Sequence, residues 1–222
     1  GGSGLGDAIV AWKQGGGATS QIAVAVVDAP PDPFLVLLPS GWQRKGKIRI
    51  AWDRSPNAIS AVRYSVSVDD EPVREGLRQL HARLKRDDIG NGRHRIQIFA
   101  TDAVGQETGS RVGRLLVDRK PPRVKLKRRG RRVLVVVTDG RKGAASTLRK
   151  ASVKVAFGEG GASTSVSLLG RERRAAKPRK KGKPPTVRVE HAYSGPGKYR
   201  IQVQARDRAG NRTSWTEVVR VG

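Results

Sequence analysis

The residues able to do chemistry are few. The 222-residue chain has three histidines (His81, His94 and His191) and no cysteine, so thiolate catalysis, Cys-based zinc sites and disulfides are excluded. Nucleophilic catalysis needs a hydroxyl beside a base that a third group orients. His94 falls in an alternating strand and His191 lies before the Tyr193 turn; neither has a G-x-S-x-G neighbourhood, and all three histidines read as ordinary surface or half-buried residues. Asp69-Asp70-Glu71 offers hard oxygens but lacks the regular run of ligands that a calcium loop needs, so it reads as a hairpin tip. Asp102 and Asp207 each stand three residues before a glycine, a place where aspartate caps turn amides. The Gly-rich stretch 158–161 lacks the Lys-Ser/Thr of a phosphate loop and reads as a turn. No catalytic residue, metal ligand or cofactor is expected.

Charge is the stronger signal. The net charge is +26, and it is uneven: residues 1–32 carry −2, residues 33–118 carry +5 and residues 119–222 carry +23. Two stretches concentrate it. Residues 119–132 hold nine cationic side chains and no acid, with Lys125, Lys127, Arg128, Arg129, Arg131 and Arg132 as candidate polyanion contacts. Residues 171–183 hold eight cationic side chains and one acid, the candidates being Arg171, Arg173, Arg174, Lys177, Arg179, Lys180, Lys181 and Lys183. The second stretch has no periodicity and few apolar residues, which predicts a basic flexible loop over 170–185. Such charge attracts an anionic polymer of the cell envelope, an acidic glycan or nucleic acid, with affinity that falls steeply with salt. The competing reading is solubility together with the arginine-rich usage of a GC-rich genome. Specific nucleic-acid recognition is not expected, because no RNA-binding aromatic motif, helix-turn-helix pattern or zinc spacing is present.

The elements that would position these groups are short strands. Aromatics make up 5% of the chain, while 27 glycines and 12 prolines punctuate short runs of Val, Ile, Leu and Ala. An internal repeat organises them. Residues 90–105 and 195–210 align without gaps at an offset of 105, with identities that include Gly92/Gly197, Arg95/Arg200, Ile96/Ile201, Ala100/Ala205 and Asp102/Asp207. Within each copy, residues alternate between one apolar face and one polar face, the mark of a strand on a core. A repeat near 100 residues is the size of one immunoglobulin-type sandwich. Further strands are predicted at 47–52, 62–68, 112–117, 133–138, 151–157, 186–190 and 217–221, and an irregular strand–loop segment at 75–86. Pro30-Pro31 and Pro121-Pro122 mark boundaries. No signal peptide opens the chain, and no apolar stretch is long enough to span a bilayer as a helix.

These residues carry resemblances. Residues 33–118 resemble a bacterial fibronectin type III or related immunoglobulin-like repeat, through Ile48-Arg-Ile-Ala-Trp52, then Ile59, Val62, Tyr64 and Val66, the strand 92–102 and the exit 117–122. The resemblance implies that Trp52 is the buried core tryptophan and that Tyr199 anchors a strand corner, where the first copy departs with His94. Residues 122–222 resemble a PKD-type domain through 153–160, 191–199 and 205–211, with Glu159 where that family more often has aspartate. Residues 1–29 read as a β-hairpin and resemble the last hairpin of a β-propeller, a remnant of an upstream domain. The expected fold is all-β: two tandem immunoglobulin-like β-sandwiches preceded by a hairpin, with Trp52, Asp102, Tyr199 and Asp207 as structural anchors. The implied function is a non-catalytic structural or adhesive module of a secreted or cell-surface protein that spaces or presents other domains of that protein. The alternatives are an electrostatic polyanion-binding module and an accessory domain of a secreted hydrolase.

Overall fold

A computed structural model describes residues 8–17, 20–55, 61–140, 148–159 and 186–222. Every regular element among them is a β-strand. The chain is all-β and forms two compact units. The first comprises Gly1–Pro39, Lys47–Ile89 and His94–Leu115; the second comprises Ser40–Gly46, Gly90–Arg93 and Leu116–Gly222.

The first unit opens with the hairpin of β1 (Ala8–Gln14) and β2 (Gln21–Val27), paired from Ala8↔Val27 to Gln14↔Gln21. Ile9, Ile22 and Val24 on this hairpin are exposed. One sheet then joins β3 (Val36–Leu37), β5 (Ile48–Trp52) and β8 (His81–Leu84) in that order. The facing sheet is built on β6 (Arg63–Val68), which pairs with β7 (Glu71–Leu77) on one side and β9 (Gly92–Thr101) on the other. β10 (Glu107–Gly109) and β11 (Gly113–Val117) lie alongside β9. Alternation drives the packing: Ile48, Ile50 and Trp52 on β5, Tyr64 and Val66 on β6, and Ile96, Ile98 and Ala100 on β9 are all buried. Each fully buried aliphatic side chain contributes about 1.5–3 kcal/mol of transfer free energy. The irregular segment expected over 75–86 resolves into the end of β7, a turn and β8.

The second unit has two three-stranded sheets, ordered β12-β13-β15 and β14-β16-β17. Their strands are β12 (Arg123–Arg129), β13 (Arg132–Thr138), β14 (Leu148–Ala156), β15 (Thr186–Ala192), β16 (Gly197–Asp207) and β17 (Arg212–Val221). Within the same unit, β4 (Trp42–Gln43) pairs in parallel with the last residues of β11, Leu116 and Val117. The core gathers Val133, Val135 and Val137 from β13, Val153 and Val155 from β14, and Ile201, Val203 and Ala205 from β16, closed by Phe157 and Tyr193.

One glycine tests this packing. Gly158 follows the β14 edge with φ +68°, and a Cβ there would stand 2.6 Å from the Arg200 carbonyl oxygen. Gly158→Ala combines left-handed strain with a backbone clash, so a loss of about 2–4 kcal/mol is expected in denaturant unfolding. Gly130→Ala, with φ +55° and open space around it, supplies the strain alone. It is expected to lose only about 1–2 kcal/mol. Equal losses at the two positions would show that the Arg200 contact relaxes freely.

Candidate polyanion-binding surface

The basic run 119–132 becomes strand β12 because Val124 and Leu126 alternate with cations and pack against the second unit's core. That alternation sends Arg123, Lys125, Lys127 and Arg129 to the solvent side of an edge strand. Alternate residues on a strand stand roughly 6.6–6.8 Å apart, so the four charges form a regular row. Pairing completes the face. Arg129 lies opposite Arg132, and Lys125 lies opposite Val136, which in turn lies opposite Arg188. The single acid among the solvent-side residues of this sheet's register is Glu190, 4.0 Å from Arg132 with both side chains mostly exposed. Such a pair is worth little in water.

The candidates separate here. Lys125, Lys127, Arg129 and Arg132 share the face. Arg128 instead donates to the Arg220 carbonyl, and Arg131 to the Ser194 carbonyl at 3.3 Å, so both are drawn toward backbone oxygens. Arg123, which lies within the basic run 119–132, joins the face through the same alternation; Arg188 joins it only through the β13–β15 pairing. Arg171, Arg173, Arg174, Lys177, Arg179, Lys180, Lys181 and Lys183 lie outside the described residues.

The polar groups elsewhere hold turns and loops. Asp102 Oδ1 accepts from the Val104 amide at 3.0 Å and the Gln106 amide at 2.8 Å. Asp207 Oδ1 accepts from the Asn211 amide at 2.8 Å, and its Oδ2 accepts from Asn211 Nδ2 at 2.8 Å. Asn211 Nδ2 also donates to the carbonyls of Asp118 at 2.9 Å and Lys120 at 3.3 Å. Sequence spacing did not reveal that Asp118, Asp139 and Asp207, all buried, bring carboxylate oxygens within 4.8 Å of one another. Hard oxygens of this type suit a hard cation. Burial, reinforced by the Asp118 charge, raises the Asp207 carboxyl above its ordinary range despite the Asn211 hydrogen bonds.

The acidic turn is likewise occupied. Asp69 and Asp70 take positive φ of 54° and 74° in the two-residue link between β6 and β7. Asp69 accepts from the Arg95 amide at 2.8 Å and lies 2.7 Å from His94 Nδ1, while Asp70 pairs with Arg95. Burial pushes the Asp69 carboxyl up, but the Arg95 amide and His94 together bring it below its ordinary value. Glu159 is lowered mainly by hydrogen bonds from the Ser194 hydroxyl and amide, and further by His191 at 2.9 Å. His191 stacks on Phe157 with ring centroids 4.4 Å apart. Tyr193 donates to the Phe157 carbonyl at 3.0 Å, and burial first, then the Glu159 charge, pushes its hydroxyl up to about 12. Tyr199 stacks on Tyr193 at 3.9 Å and donates to the Gly195 carbonyl at 2.9 Å. Trp52 is buried against Tyr64, with ring centroids 5.6 Å apart.

No protein-family model matches the chain, and no curated protein matches it in sequence. Among solved structures it is similar to the fibronectin(III)-like modules of Clostridium thermocellum CbhA, at 14% identity over 86% of this chain and 88% of that one, with a TM-score of 0.33. It is also similar to chicken CNTN1 FN1–FN3 domains, at 12% identity over 91% and 69% of the two chains, with a TM-score of 0.32. A third is SGBP-B of the Bacteroides ovatus mixed-linkage glucan utilization locus, in complex with a mixed-linkage heptasaccharide. There the identity is 16% over 87% of this chain and 45% of that one, with a TM-score of 0.30. These likenesses are distant, and the all-β assignment rests on the strands and cores of the chain itself.

Proposed function

We propose that this chain is a non-catalytic structural or adhesive module of a secreted or cell-surface protein, in which a fibronectin-like and a PKD-like sandwich space or present other domains. The observation that carries it is where the polar chemistry goes. Asp69, Asp102, Asp207 and Glu159 are engaged in turns and links between strands, and His94 and His191 hydrogen-bond to two of these carboxylates. Groups spent on holding loops serve a rigid scaffold rather than a reacting centre. The test is an assay against nitrophenyl esters, glycosides and phosphates. No turnover above background is expected, and turnover abolished by His191→Gln or His94→Gln would overturn the reading.

The cationic face of β12, β13 and β15 supports a second reading, electrostatic capture of an anionic polymer. The side chains of Lys125, Lys127 and Arg129 make no hydrogen bond or ion pair among the described residues, so a polyanion would not have to displace an internal partner. Each phosphate neutralised contributes roughly 0.7–0.9 to the log–log dependence of affinity on salt. The triple variant Lys125→Gln/Lys127→Gln/Arg129→Gln is therefore expected to flatten that slope by about 2 for a single-stranded oligonucleotide, read by fluorescence anisotropy over a roughly tenfold salt range. An unchanged slope would remove this face from the reading, and deletion of 171–183 in parallel separates the loop from the strand.

A further inference from the structure

The first unit holds a cleft that neither reading uses. Strand β8 alternates so that Ala82 and Leu84 enter the core while His81, Arg83 and, one step past the strand, Lys85 project outward. β8 ends its sheet, and the turn after it carries Asp88. Arg74 grips Asp88 with two parallel contacts, Nη1–Oδ1 at 3.0 Å and Nη2–Oδ2 at 2.5 Å, and the Lys85 amide donates to the same carboxylate at 2.6 Å. That fork fixes one wall, because bidentate arginine–carboxylate pairs have a set geometry. The cleft is open to solvent, with a volume of about 680 Å³, and Gln79 and Asp87 complete its lining.

The lining selects a ligand by its chemistry. Every lining residue is polar or charged, which favours a polar or charged ligand. Arg74 and Asp88 satisfy one another, which leaves Arg83 and the Lys85 ammonium as cations with no hydrogen bond or ion pair among the described residues. Arg49 lies directly across the sheet from Arg83 and extends the positive strip. Cations alone would suit any anion. Gln79, His81 and Asp87 add side-chain donors and acceptors of the kind that pair with the hydroxyl groups of a saccharide. The geometry points to a carboxylate-bearing saccharide: we propose that this cleft binds a uronate unit of an acidic polysaccharide, its carboxylate held by Arg83 and Lys85 and its hydroxyls by Gln79, His81 and Asp87.

The cleft lies in the first unit and is independent of the β12 face, so the two can fail separately. The experiment is isothermal titration with tetragalacturonate, with its methyl-esterified form, maltotetraose and inorganic phosphate as controls. Saturable binding of tetragalacturonate alone is expected. It should weaken at least about tenfold in Arg83→Gln/Lys85→Gln, which removes two charge-assisted contacts, and stay unchanged in Lys125→Gln/Lys127→Gln/Arg129→Gln. Both cleft side chains are exposed, so the double variant is expected to keep the wild-type melting temperature. The esterified probe tests the charge requirement without any substitution. Absence of saturable binding, undiminished binding in the cleft variant, or equal binding of the ester or of phosphate would each overturn the proposal.

Discussion

Replacing Trp52 with alanine is expected to destabilise the first unit by about 3–5 kcal/mol, the range for truncating a large aromatic in a packed core. Trp52 is 3% exposed, Tyr64 2% and Phe34 8%. Their rings form a chain, Trp52 to Tyr64 at 5.6 Å and Tyr64 edge-on to Phe34 at 5.7 Å. Tyr64 also accepts a hydrogen bond from the Ser55 amide at 2.8 Å, so a void beside it loosens a polar anchor as well. A whole domain is typically stable by only about 5–15 kcal/mol, which makes this loss a large share. Trp52→Phe separates shape from chemistry. The Trp52 Nε1 is buried with no hydrogen-bond partner among the described residues, so phenylalanine removes that buried donor while keeping most of the ring contact. That variant is expected to cost only about 1–2 kcal/mol. Urea unfolding followed by tryptophan and far-ultraviolet signals measures both; equal costs would show that the indole's full volume, rather than an aromatic ring as such, is what the core requires.

The second large effect is expected at Asn211. Its side-chain amide reaches Asp207 Oδ2 and the Asp118 and Lys120 carbonyls, and its backbone amide reaches Asp207 Oδ1. Asn211→Ala leaves a buried carboxylate oxygen and a carbonyl without this donor, a loss of about 2–4 kcal/mol at neutral pH. Asn211→Asp should be worse, because it sets another carboxylate beside Asp207 and Asp118. The sign with pH follows from the raised Asp207 carboxyl. A folded value above the unfolded one means stability is greatest when the group is protonated and falls as pH rises through the folded value. A carboxylate introduced at 211 is raised for the same reasons. The gap between Asn211→Asp and Asn211→Ala is therefore expected to narrow as pH falls from neutral through the carboxylate range. A gap that does not change with pH would mean that the two variants differ through geometry and not charge.

How much of this was legible before the structure depends on how far along the chain each cause reaches. Alternation is local. Ile96, Ile98 and Ala100, with Ile201, Val203 and Ala205, announce a strand with one buried face, and β9 and β16 are such strands. Turn capping is local too: the amides that Asp102 and Asp207 reach lie two to four residues downstream, inside one turn. The row Arg123, Lys125, Lys127 and Arg129 is likewise written in a two-residue period.

Pairing is not local, and the sites depend on it. Asp118, Asp139 and Asp207 are separated by tens of residues and meet only through the folding of the second unit around its core. Arg188 enters the cationic face through its register with Val136, while Arg128 and Arg131 leave it because carbonyls of Arg220 and Ser194 lie within reach. The 75–86 segment shows the same division. Its mixed leucine spacing reads as irregular, yet β8 places Ala82 and Leu84 in a core that other strands supply, and this aims His81, Arg83 and Lys85 together into one cleft. Which residues face a core and where the chain turns follow from neighbouring residues, because steric period and turn chemistry act over a few positions. Which charges become neighbours was decided by tertiary structure alone, because a strand's register is set by partners far along the chain.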